Sequence, residues 1–279
     1  ELAAADSRYP SAASEPVLAV QATILDDALS SLEDGRAGVA DLYFVGVAGD
    51  ATEDAFRDDV EAAQRVMDER WGTAARSVVL LNNPRTLVAA PIATLTNLRD
   101  SLDEIGAAMD PDEDVAMVYV STRGHPDGAL EMRMPPLELV PITPALLRGA
   151  FDDAGIRYRI VVVSACHAGA FVDELADDDT AVIVASTSDR GSSGCDRGSV
   201  ATAFGEAFFQ RGMAKASGLA EAFDLARAGV EERERSGNFG APTSPRMHVG
   251  AGIAARVGEL GRHSGSAQIE ARRRGAPVG

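Results

Sequence analysis

The chain has 279 residues, 46% hydrophobic and 25% charged, which is the balance of an ordinary folded domain. Its 43 acidic and 26 basic residues give a formal net charge of −17, and such a surface repels a phosphate backbone, so nucleic acid is not an expected partner. Two cysteines without metal spacing, no phosphate-cradling motif and no apolar run near the ~20 residues of a membrane span leave no cofactor, no metal and no direct membrane segment expected.

Residues 1–38, rich in Ala, Ser, Asp and Glu, read as an N-terminal extension with one helical stretch near Val17–Leu32. A strong strand follows at Asp41–Gly49, then a helix over Glu53–Trp71 in which Phe56, Val60, Ala63 and Met67 recur at helical spacing. Strand Ser77–Leu81 ends in the polar turn Asn82-Asn83-Pro84, and Leu95, Leu98, Leu102 and Ile105 mark one face of a helix over Thr94–Met109. The third strand, Asp114–Ser121, runs into the loop Thr122–Gly128, then an extended piece around Leu130–Met134 and a helix over Thr143–Asp153.

The fourth strand is the β-branched run Arg159–Ser164, followed by Ala165-Cys166-His167-Ala168-Gly169, small residues suited to a tight turn into a short helix. Cys166 then stands at the carboxyl end of a buried parallel strand, where open α/β sheets keep their ligand crevice. A helix N-terminus beside a thiol favours the nucleophilic thiolate, whereas the alternative role is that of a buried structural cysteine. A fifth strand at Ala181–Ser186, a Gly/Ser loop to Cys195 (read as a packing residue), helices near Val200–Arg211 and Leu219–Glu234, and a strand near Arg246–Gly250 complete the pattern. Strands alternating with helices call for an α/β fold with an open, mostly parallel sheet and helices on both faces. One domain over 39–255 and a flexible tail over 256–279, containing Arg272-Arg273-Arg274, are expected.

Three segments carry a resemblance: Tyr119–Gly124, Ser164–Gly169 and Ser186–Cys195. They are similar to the strand ending in His-Gly, the nucleophile turn and the following loop of the legumain-like cysteine peptidases, family C13, whose fold is caspase-like. Phe44–Asp50 and Asn82–Pro84 look like the bacterial branch, and a single lysine, Lys215, among 26 basic residues fits a GC-rich genome. The resemblance covers roughly Leu42–Ile253. It implies a cysteine endopeptidase acting on a peptide or protein substrate, with Cys166 as thiol nucleophile and the backbone N–H groups of Gly124 and Cys166 as the oxyanion hole.

Arg123 stands where the family has its catalytic histidine. Arginine neither accepts nor releases a proton at working pH, so the resemblance implies impaired activity, at a cost of about 10²–10⁴-fold. His125, two residues on, is the candidate substitute base, with an exposed loop residue as its other reading. His167 is expected to point away from the thiol. The family's substrate pocket carries over loosely onto Arg57, Ser164, Ser192 and Glu206; Ser164 replaces a glutamate and Asp58 a histidine. Two alternatives remain open, a non-catalytic peptide-binding pseudoprotease and a transamidase-like acyl transferase. The chain starts at Glu1 rather than methionine, which fits a missing N-terminal signal or anchor and a periplasmic or membrane-tethered location. Compartment and oligomeric state stay open.

Overall fold

The structure is a computed structural model that describes residues 9–187, 203–237 and 244–260. Six strands form one sheet: β1 (Leu42–Ala48), β2 (Ser77–Leu81), β3 (Val115–Ser121), β4 (Arg159–Ser164), β5 (Thr180–Val184) and β6 (Arg246–Val249). Their order is β2-β1-β3-β4-β5-β6. The first five are parallel and β6 pairs antiparallel with β5. β1 and β3 are buried along their whole length, as near-continuous apolar runs require when helices cover both faces.

One face of the sheet carries Phe44, Met117, Tyr119, Ile160 and Val162. It packs under α2 (Asp54–Trp71), a π-helical segment at Glu206–Met213, α6 (Leu219–Gly237) and a helix over 251–260, here α7. The opposite face carries Tyr43, Val45, Val118, Val161 and Val163. It meets α3 (Leu95–Ala108), α4 (Pro144–Asp153) and α5 (Gly169–Leu175). The Thr94 and Thr143 hydroxyls cap α3 and α4 by accepting from the N–H groups of Asn97 and Leu146.

The region ahead of β1 is docked on the domain. Within α1 (Glu15–Ser30), Val17 is buried, and the Gln21 amide donates to the carbonyls of Leu87 and Ala90 and accepts from the N–H of Ile92.

Two expectations need revision. The helix expected to end near Arg211 is a π-helix reaching Met213. Phe208 and Phe209, neighbours in sequence, are both fully buried, and Phe209 meets Phe44, Tyr119 and Phe208. The expected tail boundary at 255 falls inside α7, because Ile253, Val257 and Leu260 all sit in the core.

In chain order the path leaves β1 for β2 on one side and crosses to β3 on the other. The topological switch point therefore lies between the carboxyl ends of β1 and β3, with β4 next to it.

Candidate active site

β3 and β4 run in register to their ends, with Ser121 opposite Ser164. Beyond them the Thr122 N–H reaches the Ser164 carbonyl. Two residues further, Gly124 lies directly on the Cys166 backbone. A Cβ on Gly124 would stand 1.7 Å from the Cys166 carbonyl oxygen and 3.2 Å from its nitrogen. Only glycine allows this approach, which sets the backbone of one strand end against that of the next. The turn after Cys166 is made by His167 in the left-handed region, φ 55°, before α5 begins at Gly169. The Ser186 hydroxyl fastens the turn from the β5 side by donating to the Ala165 carbonyl at 3.0 Å.

Cys166 itself is buried and disulfide-bonded. The sulfur expected as a free thiol is therefore oxidised in this structure. The chain has one other cysteine, Cys195. Cys195 and the expected pocket residue Ser192 lie outside the described residues.

Arg123 occupies the switch point. Its Nε donates to Asp50 Oδ2 at 2.7 Å, its Nη2 pairs with Glu53, and its guanidinium lies over the Phe56 ring at 5.9 Å. Asp50 is fully buried at the end of β1, and its other oxygen accepts from the Thr52 N–H. Arg123 is thus engaged with groups on the β1 side, whereas Cys166 follows β4. The loop folds back on itself as a small hairpin: the Glu131 N–H donates to the Arg123 carbonyl, and the His125 N–H to the Ala129 carbonyl. Gly124 bridges Leu130 between those two pairs. Alternation along this hairpin puts Arg123, His125 and Glu131 on one face, and His125 Nε2 meets the Glu131 carboxylate there.

The expected pocket residues divide. Ser164 is buried at the end of β4, two residues before Cys166. Arg57 is held elsewhere, by Asp54 and Asn83 at 3.0 Å and by Asp58 at 2.5 Å, with Asn83 following β2 at the far edge of the sheet. Glu206 pairs with Arg211 and Arg233, facing a cavity of about 440 Å³ that is also lined by Gly229 and Ser236. Arg57 and Glu206 are not paired with each other among the described residues.

Sequence reading passed over Asp50, Glu53, Glu131 and Asp59. Asp59 carried a signal, since it is a carboxylate on the same stripe of α2 as Phe56, Val60, Ala63 and Met67. It accepts from Tyr119 Oη at 2.5 Å and from Ser121 Oγ at 2.7 Å. Burial pushes its carboxyl up to about 7, against the pull of those two hydrogen bonds and helped by repulsion from Glu206.

The family model described as the Peptidase C13 family matches residues 95–255, more than half of the chain. The chain belongs to that family. Its scaffold is that of a legumain-like cysteine peptidase, a family whose substrates are peptides or proteins. The match spans β3, Arg123-Gly124, Cys166 and β6. No curated protein matches the chain. Among solved structures it is similar to the crystal structure of caspase-1 from Spodoptera frugiperda, with 11% identity and a TM-score of 0.47, over 75% of this chain and 86% of that one. Among the described residues of this C13 chain, no helix is long and apolar enough to cross a membrane.

Proposed function

We propose that the protein is a cysteine endopeptidase in which Cys166, once its disulfide is reduced, is the nucleophile. The observation that carries this reading is the contact of Gly124 on the Cys166 backbone. It supports a pair of backbone N–H donors, those of Gly124 and Cys166, converging beside the sulfur. The thiolate attacks the scissile carbonyl, a carbon–sulfur bond forms, and the carbonyl electrons move to an oxyanion held by the two donors. Each such donor is worth about 3–4 kcal/mol in the transition state. The tetrahedral species collapses with loss of the amine, and water then hydrolyses the thioester.

The leaving amine needs a proton, and Arg123 has none to give at working pH. His125 is the imidazole proposed to supply it. The Glu131 carboxylate on Nε2 fixes its ring while leaving Nδ1 for exchange. Turnover of amides is accordingly slow, and esters, whose leaving groups need less protonation, are the better substrates.

A second reading, a peptide-binding pseudoprotease, is favoured by the combination of an oxidised Cys166 and an Arg123 bound to two carboxylates. One experiment separates the two. Reduced protein is offered an activated peptide ester and, separately, a thiol-reactive peptide electrophile, with labelling mapped by mass spectrometry. Ester turnover and selective labelling of Cys166, both abolished in Cys166→Ala and both absent without reductant, are expected. Peptide binding with no turnover and no preferential labelling of the reduced thiol would replace the peptidase reading by the pseudoprotease.

A further inference from the structure

Beneath the site lies a buried carboxylate that the chemistry above does not use. Asp59 is only 6% exposed and joins four elements that border the site. It belongs to α2; its two donors, Tyr119 and Ser121, are the last inward-facing residues of β3. Ser164, which ends β4, lies close enough to Tyr119 to favour ionisation of its hydroxyl, against the larger effect of burial. Gly205, at the foot of the π-helix, completes the enclosure: a Cβ there would stand 2.1 Å from Tyr119 Oη and 2.3 Å from Asp59 Oδ2. A glycine is required for the backbone to close over the carboxylate.

From Ser121 the chain has only Thr122 and Arg123 to cross before Gly124, and from Ser164 only Ala165 before Cys166. Anything that moves the ends of β3 and β4 relative to each other moves the two N–H groups against each other. We propose that Asp59 is a positioning residue that fixes the spacing of the Gly124 and Cys166 backbones by holding Tyr119 and Ser121 from α2. This deepens the peptidase reading and rests on it only in taking those two backbones as the oxyanion donors.

The grip depends on charge. An ionised carboxylate accepts both hydroxyls in charge-assisted bonds, roughly twice as strong as neutral ones, and a protonated one holds them less firmly. The titratable groups facing it are Tyr119 from β3 and Glu206 from the π-helix, with the hydroxyls of Ser121 and Ser164 beside them. Burial raises the Asp59 carboxyl to about 7, and the Tyr119 hydrogen bond opposes that rise. The strand ends are therefore held firmly above neutrality and loosened below it.

The test uses the reduced full chain and follows the rate of Cys166 alkylation by iodoacetamide against pH, read by peptide mass mapping. This readout does not require peptidase activity. The parent is expected to show an inflection near neutrality in addition to the thiol's own ionisation. In Asp59→Asn, which keeps the shape and removes the charge, that inflection disappears. In Tyr119→Phe, which removes a bond that lowers the Asp59 pKa, it moves to higher pH. A parent curve with a single ionisation, or an inflection unchanged in both variants, would overturn the proposal. A parent that shows the Asp59-dependent inflection yet turns over no peptide ester refutes the peptidase reading and leaves the positioning role standing.

Discussion

Replacing Gly124 by alanine adds one methyl group at the point where two strand ends touch. Its Cβ would lie 1.7 Å from the Cys166 carbonyl oxygen and 2.8 Å from the carbonyl carbon, both backbone atoms that no rotamer change can move. Gly124 does not occupy the left-handed region, so alanine fits its backbone conformation and the cost is one of space. To regain ordinary contact the loop must retreat by roughly 2 Å, and a displacement of about 1 Å at a reacting centre already costs on the order of 10²-fold. Loss of one oxyanion donor gives a similar figure, about 10²–10³-fold. The assay compares two reactions of the reduced protein: hydrolysis of an activated peptide ester, which builds an oxyanion, and iodoacetamide alkylation of Cys166, which builds none. Ester turnover is expected to fall by at least ~10²-fold, whereas alkylation, which senses the spacing of the strand ends but builds no oxyanion, changes by no more than about tenfold. A folded Gly124→Ala protein whose ester turnover is within about threefold of the parent would refute the oxyanion reading.

Arg123→Gln leaves the fully buried Asp50 without its cation and should lower stability in urea at pH 7 by about 2–3 kcal/mol, less than the ~3–5 kcal/mol of a fully buried pair because the Arg123 side chain is 27% exposed. Asp59, raised from 3.8 to about 7 on folding, contributes stability that is complete at low pH and is lost as pH rises through its folded value. Parent stability should therefore fall relative to Asp59→Asn by up to about 4 kcal/mol between pH 4 and pH 8, measured by denaturation at a series of pH values. Gly205→Ala should destabilise by about 1–3 kcal/mol through overpacking on Tyr119 and Asp59, visible as a lower urea midpoint. In a double-mutant cycle, Asp50→Asn should offset part of the loss caused by Arg123→His, with a coupling of about 0.5–3 kcal/mol, and simple additivity would count against the ion pair.

The sheet was legible because its signal is local. Runs such as Tyr43–Val47 and Ile160–Val163 are buried on both faces, and no other environment suits so many β-branched residues in sequence. Gly124 and Cys166 were legible as motif positions at strand ends. What stayed hidden depends on residues distant in sequence. Arg123 meets Asp50 and Glu53 across more than sixty intervening residues, and no local pattern in the loop announces which carboxylates it will find. The π-helix is set by burying Phe208 and Phe209 against Phe44 and Tyr119, a tertiary demand that overrides α-helical spacing. The oxidised state of Cys166 was equally unreadable, since two cysteines with no metal spacing are compatible with a nucleophile and a packing residue as well as with a bond.

The destination of Arg123 changes what restoring a histidine would mean. Read from the motif alone, Arg123→His repairs a missing proton carrier. In the folded chain it also removes a permanent cation from between Asp50 and Glu53, one of them fully buried. An imidazole with an ordinary pKa near 6.5 is neutral above that pH and leaves both carboxylates uncompensated. Those same carboxylates would favour a protonated ring and draw it toward β1, away from the sulfur on β4. A single substitution therefore trades one defect for another, whereas Arg123→His with Asp50→Asn lowers the acidic charge together with the cation. The double variant, reduced at Cys166, is the form in which the scaffold's capacity for amide hydrolysis is fairly tested.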